Sequence, residues 1–327
     1  MNTRSLKVSV LDLVPVFGQA DSAHALEQAA MLAQCAETNG YVRYWAAEHH
    51  DLPGLACASP EVLLAHIGAR TKRIRLGTGA LLLPHYQPLK VVETFHLLAS
   101  LYPGRIDLGI GRAPGGPAHA SMALSGNFLE NVRKLPEALR EVQALLQGHY
   151  RYDGHPVQAR PAPSVPPELW LLGTNTKSAA YAAELGIGYV FGQFMSDVAG
   201  EEVLAAYREA FQPSPLLAAP KTIAAIGAVC AETAEEANAL ASRMQNVFRE
   251  EGEAKTETQE RPSVPHNRKL LAGTPDEVVR QLAGLSEVYG TDEFLIVTMV
   301  PDYNLRLRSY EMLAQALKRL GAGDLGE

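Results

Sequence analysis

The sequence predicts a (β/α)₈ barrel (a TIM barrel), from three observations. Eight short runs are apolar on both faces. Amphipathic helical patterns separate them. A new run begins roughly every 40 residues along a chain of 327, the size of such a barrel. The eight runs are Lys7–Val14, Tyr41–Ala47, Arg73–Leu83, Arg105–Gly111, Glu168–Gly173, Tyr189–Phe194, Thr222–Ala231 and Glu293–Val300. Strands that read as continuous apolar stretches, without alternation, belong to parallel sheets covered on both faces. The competing arrangement is a doubly wound open sheet. It normally carries a G-x-G-x-x-G turn after its first strand, and "LDLVPVFGQADS" has none.

The helices announce their ends. The segment 21–40 opens on Asp21, a good N-cap, and closes on Gly40. The segment 87–104 places Pro88 early and Gly104 at its end. Thr274, Pro275 and Glu277 form a capping box with proline at the first helical position. Two segments interrupt the rhythm: the proline-rich stretch 150–168, an insertion before the fifth strand, and the charged stretch 249–269, an insertion after the seventh. The second reads as a mobile loop or lid, or as a solvated insertion without a role. Residues 1–327 are expected to form a single domain.

With 47% hydrophobic and 20% charged residues the chain can fill a core. Its net charge of −7 argues against nucleic acid or an anionic membrane as the main partner. Arg4 and Lys7 ahead of an apolar run resemble a signal peptide, but Asp12 and Pro15 interrupt it, so it reads as a first buried strand. Cys35, Cys57 and Cys230 are odd in number and widely spaced. Core thiols in a reducing, cytoplasmic setting are expected.

In this fold the chemistry sits at the C-terminal ends of the strands. The second run ends in "EHHD", Glu48 to Asp51. Neighbours on an extended chain point to opposite sides, so His49 and His50 cannot share one metal without a bend, and no H-x-H occurs. Three readings stand: a metal site built on His49, His50, His85 and nearby carboxylates; one working histidine beside a structural one; or two structural histidines. A histidine in a barrel mouth can serve as a general base near neutral pH. After the fifth run, "GTNTKSAA" joins a strand end to a helix start. Gly173, Thr174, Asn175, Thr176 and Ser178 offer N–H groups and hydroxyls there, as a phosphate site does and as an ordinary helix cap does. Arg112, after the fourth run, adds a charge for the same anion. Gly77 and Gly79 sit inside the third run, where either a flat ring against Gly79 and Ala80 or simple strand crowding would call for glycine.

Taken in order, "WAAEHHD", the long stretch Arg73–Gly116 and "LWLLGTNTKSAAYAAELGIGYVFGQF" resemble the bacterial luciferase-like flavin monooxygenases over nearly the whole chain. The resemblance implies a barrel that takes reduced FMN from a separate NAD(P)H:flavin reductase. The flavin would react with O₂ to a peroxyflavin that oxidises a small organic substrate, shielded from water. It points to His49 as the catalytic histidine and puts a non-proline cis peptide at Gly79–Ala80, under the flavin ring. It assigns Arg112 and Thr174 to the phosphate, with Gly173, Asn175 and Ser178 on the same turn. Tyr44, Trp45, His85, Gln193, Phe194 and the 249–269 loop would shape the substrate pocket. A homodimer through the helices beside the second and third strands is also implied, with Ser59–Thr71 offering an apolar face. The chain departs from luciferase in three places. Gly111 replaces a reactive cysteine, Gln193 a tryptophan against the flavin, and Gly173 an acidic residue. These changes weigh against light emission and a long-chain aldehyde. Two alternatives remain within the fold: a deazaflavin-dependent hydride-transfer enzyme, and a flavin-binding protein without turnover.

Overall fold

The computed structural model describes residues 6–253 and 270–321. In chain order the elements are β1 (Lys7–Asp12), α1 (Ser22–Asn39), β2 (Arg43–Ala46), α2 (Pro60–Arg70), β3 (Arg75–Thr78), β4 (Leu81–Leu82), α3 (Pro88–Leu101), β5 (Ile106–Gly111), α4 (Ala118–Ser125), α5 (Phe128–Arg133) and α6 (Leu135–Leu146). They continue with β6 (Arg151–Tyr152), β7 (His155–Pro156), β8 (Glu168–Gly173), α7 (Thr176–Leu185), β9 (Gly188–Gly192), α8 (Gly200–Ala210), β10 (Thr222–Cys230), α9 (Ala234–Glu253), β11 (Leu270–Gly273), α10 (Pro275–Tyr289), β12 (Glu293–Val297) and α11 (Tyr303–Gly321).

Strands β1, β2, β3, β5, β8, β9, β10 and β12 pair in that order, and β12 pairs back onto β1. All of these pairings are parallel, which closes an eight-stranded barrel with helices between the strands. Each of the eight apolar runs supplies one barrel strand. The third run breaks into β3 and β4 at Gly79–Ala80, whose peptide bond is cis. The sixth ends at Gly192, where Gln193–Met195 turns into a short 3₁₀ helix. The insertions fall before β8, with the antiparallel hairpin β6–β7, and after β10, where β11 runs along its C-terminal half. Of the segment 249–269, the first five residues complete α9, and residues 254–269 lie outside the described residues.

The helix ends follow their sequence signals. Asp21 accepts from the His24 N–H, Gly40 closes α1 at φ +86°, and Thr274 and Glu277 form a reciprocal capping box on α10. The outer core lies between strands and helices, where Val10, Tyr44, Leu76, Leu108, Leu171, Phe191 and Ile296 meet the helices. A second cluster fills the barrel itself and holds Leu11, Trp45, Trp170, Val190, Ile223 and Leu295. No described helix is long and apolar enough to cross a membrane. Burial pushes the thiols of Cys35 and Cys230 up to about 11 and about 12, and that of Cys57 higher still, so all three are inert thiols.

The N-terminal end of the barrel is plugged by charge. The buried Arg43 donates to Asp107 at 2.8 Å and to Glu293 at 2.7 Å, and Arg75 adds two bonds to Asp107. Burial opposes ionisation of Asp107, yet Arg43 and Arg75 hold its carboxyl below the usual range. Above this plug Trp45 donates its indole N–H to Asp107 at 2.9 Å and meets Trp170 edge-on, ring centres 5.9 Å apart. The barrel is therefore solid from its N-terminal end up to the indoles, and ligands can enter only from the opposite end.

Candidate active site

The open end is built by the residues that follow β2, β3, β5, β8 and β9. Its floor explains the glycines of the third run. A Cβ on Gly77 would lie 2.5 Å from the Trp45 indole nitrogen, and one on Gly79 would lie 2.4 Å from Leu11. Crowding inside the barrel therefore accounts for both glycines without a ligand. The same holds across the strand: a Cβ on Gly109 would meet the Thr78 carbonyl at 2.1 Å, and one on Gly111 would meet Ala80 at 2.7 Å.

The "EHHD" stretch divides its side chains between two sides. His50 Nε2 lies 2.7 Å from Glu48 Oε1, so these two face the same way and His49, between them, faces the other. Trp45 and Ala47 precede His49 at two-residue spacing and belong to the barrel interior, so that side is the inner one. The backbone is pinned as well: the His49 N–H donates to the Cys57 carbonyl and the His50 N–H to the Gly115 carbonyl, both at 2.9 Å. Among the described residues, no three or more His, Cys, Asp or Glu side chains come together as a metal site.

The anion-binding end lies across the mouth. The parallel register pairs Ile110 with Leu171; Arg112 follows two residues later on one strand, just past the end of β5, and Gly173 two residues later on the other. Neighbouring strands run about 4.8 Å apart, so the chain carries Arg112 and Thr174 to adjoining places on the same rim. Arg112 is exposed and makes no hydrogen bond or ion pair among the described residues. The Asn175 side chain caps α7 by accepting from the Ser178 N–H at 3.1 Å. Ser178 Oγ donates to the Asn175 carbonyl at 2.8 Å and lies 3.0 Å from the Tyr189 hydroxyl. A Cβ on Gly173 would strike Ser178 Oγ at 2.1 Å, which is the local reason for glycine there. The two side chains expected to help with a phosphate thus already serve the helix cap. The groups left open are the Thr174 hydroxyl, the Arg112 guanidinium and the N–H groups of Thr176 and Lys177. The last two lack an intrahelical acceptor by their place in the first turn.

Three residues expected in the substrate pocket face elsewhere. Tyr44 is fully buried in the outer layer, where its hydroxyl donates to Asp12 at 2.8 Å. It sits one residue from Trp45, and adjacent strand residues take opposite faces. Gln193 is one residue past the inward Gly192 and turns to Tyr289 at the start of the helical layer. His85 braces a loop: its Nε2 lies 2.9 Å from the Pro114 carbonyl, and its ring stacks on Phe128 and meets His50 edge-on. Trp45 and Phe194 do belong to the interior. Trp45 is floor, and Phe194 packs against the barrel cluster beside Leu55 and Leu172, only partly buried, at the rim. Sequence reasoning missed Leu13, Val229, Met299 and Val300, which continue the same cluster at the ends of β1, β10 and β12. Counting alternate inward residues to the end of each apolar run finds the first three, Leu13 after Leu11, Val229 within β10 and Met299 after Val297, while Val300 falls outside the alternation.

A family model described as luciferase-like monooxygenase matches residues 6–293. The chain belongs to the luciferase-like monooxygenase family. Among curated relatives, N-acetyl-S-alkylcysteine monooxygenase of Bacillus subtilis (strain 168) is 35% identical, over 95% of this chain and 98% of that protein. Among solved structures, apo-MsnO8 is 33% identical with a TM-score of 0.84, covering 96% of this chain and 98% of its own. Two more distant barrels show the fold alone. The oxygenating constituent of 3,6-diketocamphane monooxygenase from Pseudomonas putida, in complex with FMN, is 19% identical (TM-score 0.71, 95% and 97% covered). An F420-dependent secondary alcohol dehydrogenase is 17% identical (TM-score 0.68, 96% and 99% covered). For a luciferase-like monooxygenase, an open cation and a helix N-terminus at the mouth, with an inward histidine and an apolar interior beneath, fit a phosphorylated flavin: the donors suit a dianion and the interior suits a ring.

Proposed function

We propose that this protein is an FMN-dependent monooxygenase. The observation that carries the reading is Arg112, an uncompensated guanidinium just past the C-terminal end of β5, the strand paired with the one that leads into the open first turn of α7. Arg112, Thr174 and the N–H groups of Thr176 and Lys177 hold the phosphate. The backbone at Gly79–Ala80 and the interior beneath it support the ring. When bound and reduced, FMN supplies the two electrons that let dioxygen give one oxygen atom to the substrate and the other to water. His49 holds or moves a proton at the reacting end. Leu55, Leu172 and Phe194 keep water from that space. The substrate is a small organic molecule. The similarity to N-acetyl-S-alkylcysteine monooxygenase makes S-alkyl thioethers the first compounds to assay. A separate NAD(P)H:flavin reductase supplies the reduced cofactor.

The protein acts as a homodimer in this reading. Val62 on α2 is 66% exposed, and Leu97 and Leu101 on the adjoining α3 are 51% and 55% exposed, an apolar face of the kind that two-fold pairing covers. A mass of one chain by light scattering would remove this part.

The deciding experiment is an anaerobic titration with photoreduced FMN, then rapid mixing with oxygen, with F420 titrated in parallel. Tight binding of reduced FMN with reoxidation slower than in free solution supports the reading. Binding of reduced F420 in preference to FMN would replace it with hydride transfer. Retention of oxidised FMN alone, with no oxygen-dependent product, would make the protein a flavin carrier.

A further inference from the structure

Glu48 is enclosed, and both of its carboxyl oxygens are engaged. Oε2 accepts from the Leu82 N–H at 2.9 Å. Oε1 accepts from the Tyr86 hydroxyl at 2.9 Å and lies 2.7 Å from His50 Nε2. Burial, and then the charge of Glu48, push the Tyr86 phenol up, so Tyr86 stays a donor at any working pH. The Glu48 backbone N–H donates to the Ala80 carbonyl at 3.2 Å. One residue thus grips Ala80 by its carbonyl and Leu82 by its N–H, across the segment that follows the Gly79–Ala80 bond.

The other end of this assembly is the loop that carries Arg112. The His50 N–H donates to the Gly115 carbonyl at 2.9 Å. Gly115 sits at φ +72°, and a Cβ on Gly116 would lie 2.0 Å from the His50 carbonyl oxygen. The loop therefore rests directly on the His50 backbone, with no room between. His85, in edge contact with His50, holds the next carbonyl, that of Pro114.

We infer that Glu48 and His50 are positioning residues that lock the ring-side segment Ala80–Leu82 and the Arg112–Gly116 loop into one unit, setting the spacing between ring support and phosphate donors. Both side chains lie on the side of the chain opposite His49. The inference rests on the FMN reading. A buried carboxyl that engages Leu82, Tyr86 and His50 together has one low-energy arrangement: it fixes the 82–86 segment directly, and it fixes the loop through His50, whose backbone N–H holds Gly115.

The test compares photoreduced FMN with photoreduced riboflavin, which lacks only the phosphate, under anaerobic conditions on the full chain. The readout is the ratio of their dissociation constants. In the wild type, FMN binds more tightly than riboflavin by at least about tenfold. In Tyr86→Phe and Glu48→Gln the ratio falls by about tenfold, because a phosphate donor displaced by a fraction of an ångström loses most of its bond. His50→Leu behaves alike, and His50→Gln, whose amide nitrogen can replace Nε2, keeps the ratio. Tyr86→Phe removes one hydroxyl from a half-buried position, so it keeps the test valid if Glu48→Gln does not fold. A merely structural role would lower the melting temperature and weaken both ligands in parallel. If the wild type discriminates and folded Tyr86→Phe and His50→Leu discriminate equally well, the inference fails and the FMN reading survives. If the wild type binds neither flavin, or both equally, the FMN reading fails and the inference with it.

Discussion

Replacing Arg112 by alanine tests the proposed phosphate site at its one charged side chain. The side chain is exposed and makes no hydrogen bond or ion pair among the described residues, so the folded protein loses nothing when it goes. The melting temperature is expected to stay within a degree or two, as for other unengaged surface residues. Binding should respond differently. A charge-assisted hydrogen bond to a phosphate is among the stronger single contacts, but solvent screens an exposed guanidinium, which keeps its worth at the lower end of that range. The expected loss in FMN affinity is about ten- to thirtyfold. Riboflavin, without the phosphate, should bind the variant as it binds the wild type. Salt supplies a second axis: raising ionic strength should weaken FMN binding to the wild type more than to Arg112→Ala, since the variant has less charge to screen. Anaerobic titrations followed by flavin absorbance at two salt concentrations give all four quantities. Equal loss for FMN and riboflavin would mean that Arg112 shapes the loop without holding phosphate. No loss for either would refute the reasoning from register and open charge.

Four further outcomes are expected. His49→Ala should bind reduced FMN within a few-fold of the wild type while product formation falls by about a hundredfold or more; a parallel loss of binding would make His49 a wall residue. Gly116→Ala puts a Cβ 2.0 Å from the His50 carbonyl, so the loop must move by about 1 Å or more, and FMN affinity should fall while riboflavin affinity holds; wild-type FMN affinity would show that the loop has slack. Asp12→Asn strips the counter-charge from the buried Arg306, bonded at 2.6 Å, and should cost about 3–5 kcal/mol, read as a fall in the urea midpoint; an unchanged midpoint would refute the pairing. Burial holds the Cys230 thiol and the Tyr189 and Tyr207 phenols at about 12, against ordinary values of 9.0 and 10.0. Between those values the unfolded chain binds fewer protons than the folded one, so stability should be full below pH 9 and decline as pH rises toward 12; a flat profile from pH 8 to 11 would contradict the burial.

The barrel was legible because its signal is local. A strand covered on both faces must be apolar throughout, and each of the eight runs became one barrel strand. Parallel closure then carries residues far apart in sequence to one rim, which is why Arg112 and Thr174, 62 positions apart, follow the ends of two paired strands without any further signal. What the sequence hid was direction. Tyr44 and Trp45 are adjacent and both aromatic, and only the phase of β2 sends one to Asp12 and the other to Asp107. That phase could have been read: Arg43, Trp45, Ala47 and His49 share a parity, and a charge at the N-terminal end of a barrel strand belongs to the plug. Gly77 and Gly79 raised the expectation of a ligand because the side chains that fill the missing space, Trp45 at Gly77 and Leu11 at Gly79, lie on other strands.

Glu48 is the harder case, and it bears on how such a site works. Beside two histidines, a carboxyl reads as part of the chemistry. Its partners, the Leu82 N–H and the Tyr86 hydroxyl, lie 34 and 38 positions away, and no spacing in the chain announces them. The structure separates the three residues by parity. Glu48 and His50 turn outward to hold the segments that carry the site, and His49 turns inward to meet whatever they position. The alternation matters physically. A buried carboxyl aimed at the reacting space would bring an acceptor where the proposed reaction needs water and stray protons excluded. Turned to the back, the same carboxyl has three donors and fixes the wall. In the proposed reading, a working histidine flanked on both sides by its own scaffold gains a backbone that cannot drift, because Glu48 is tied to the Ala80–Leu82 segment and His50 to the loop after β5.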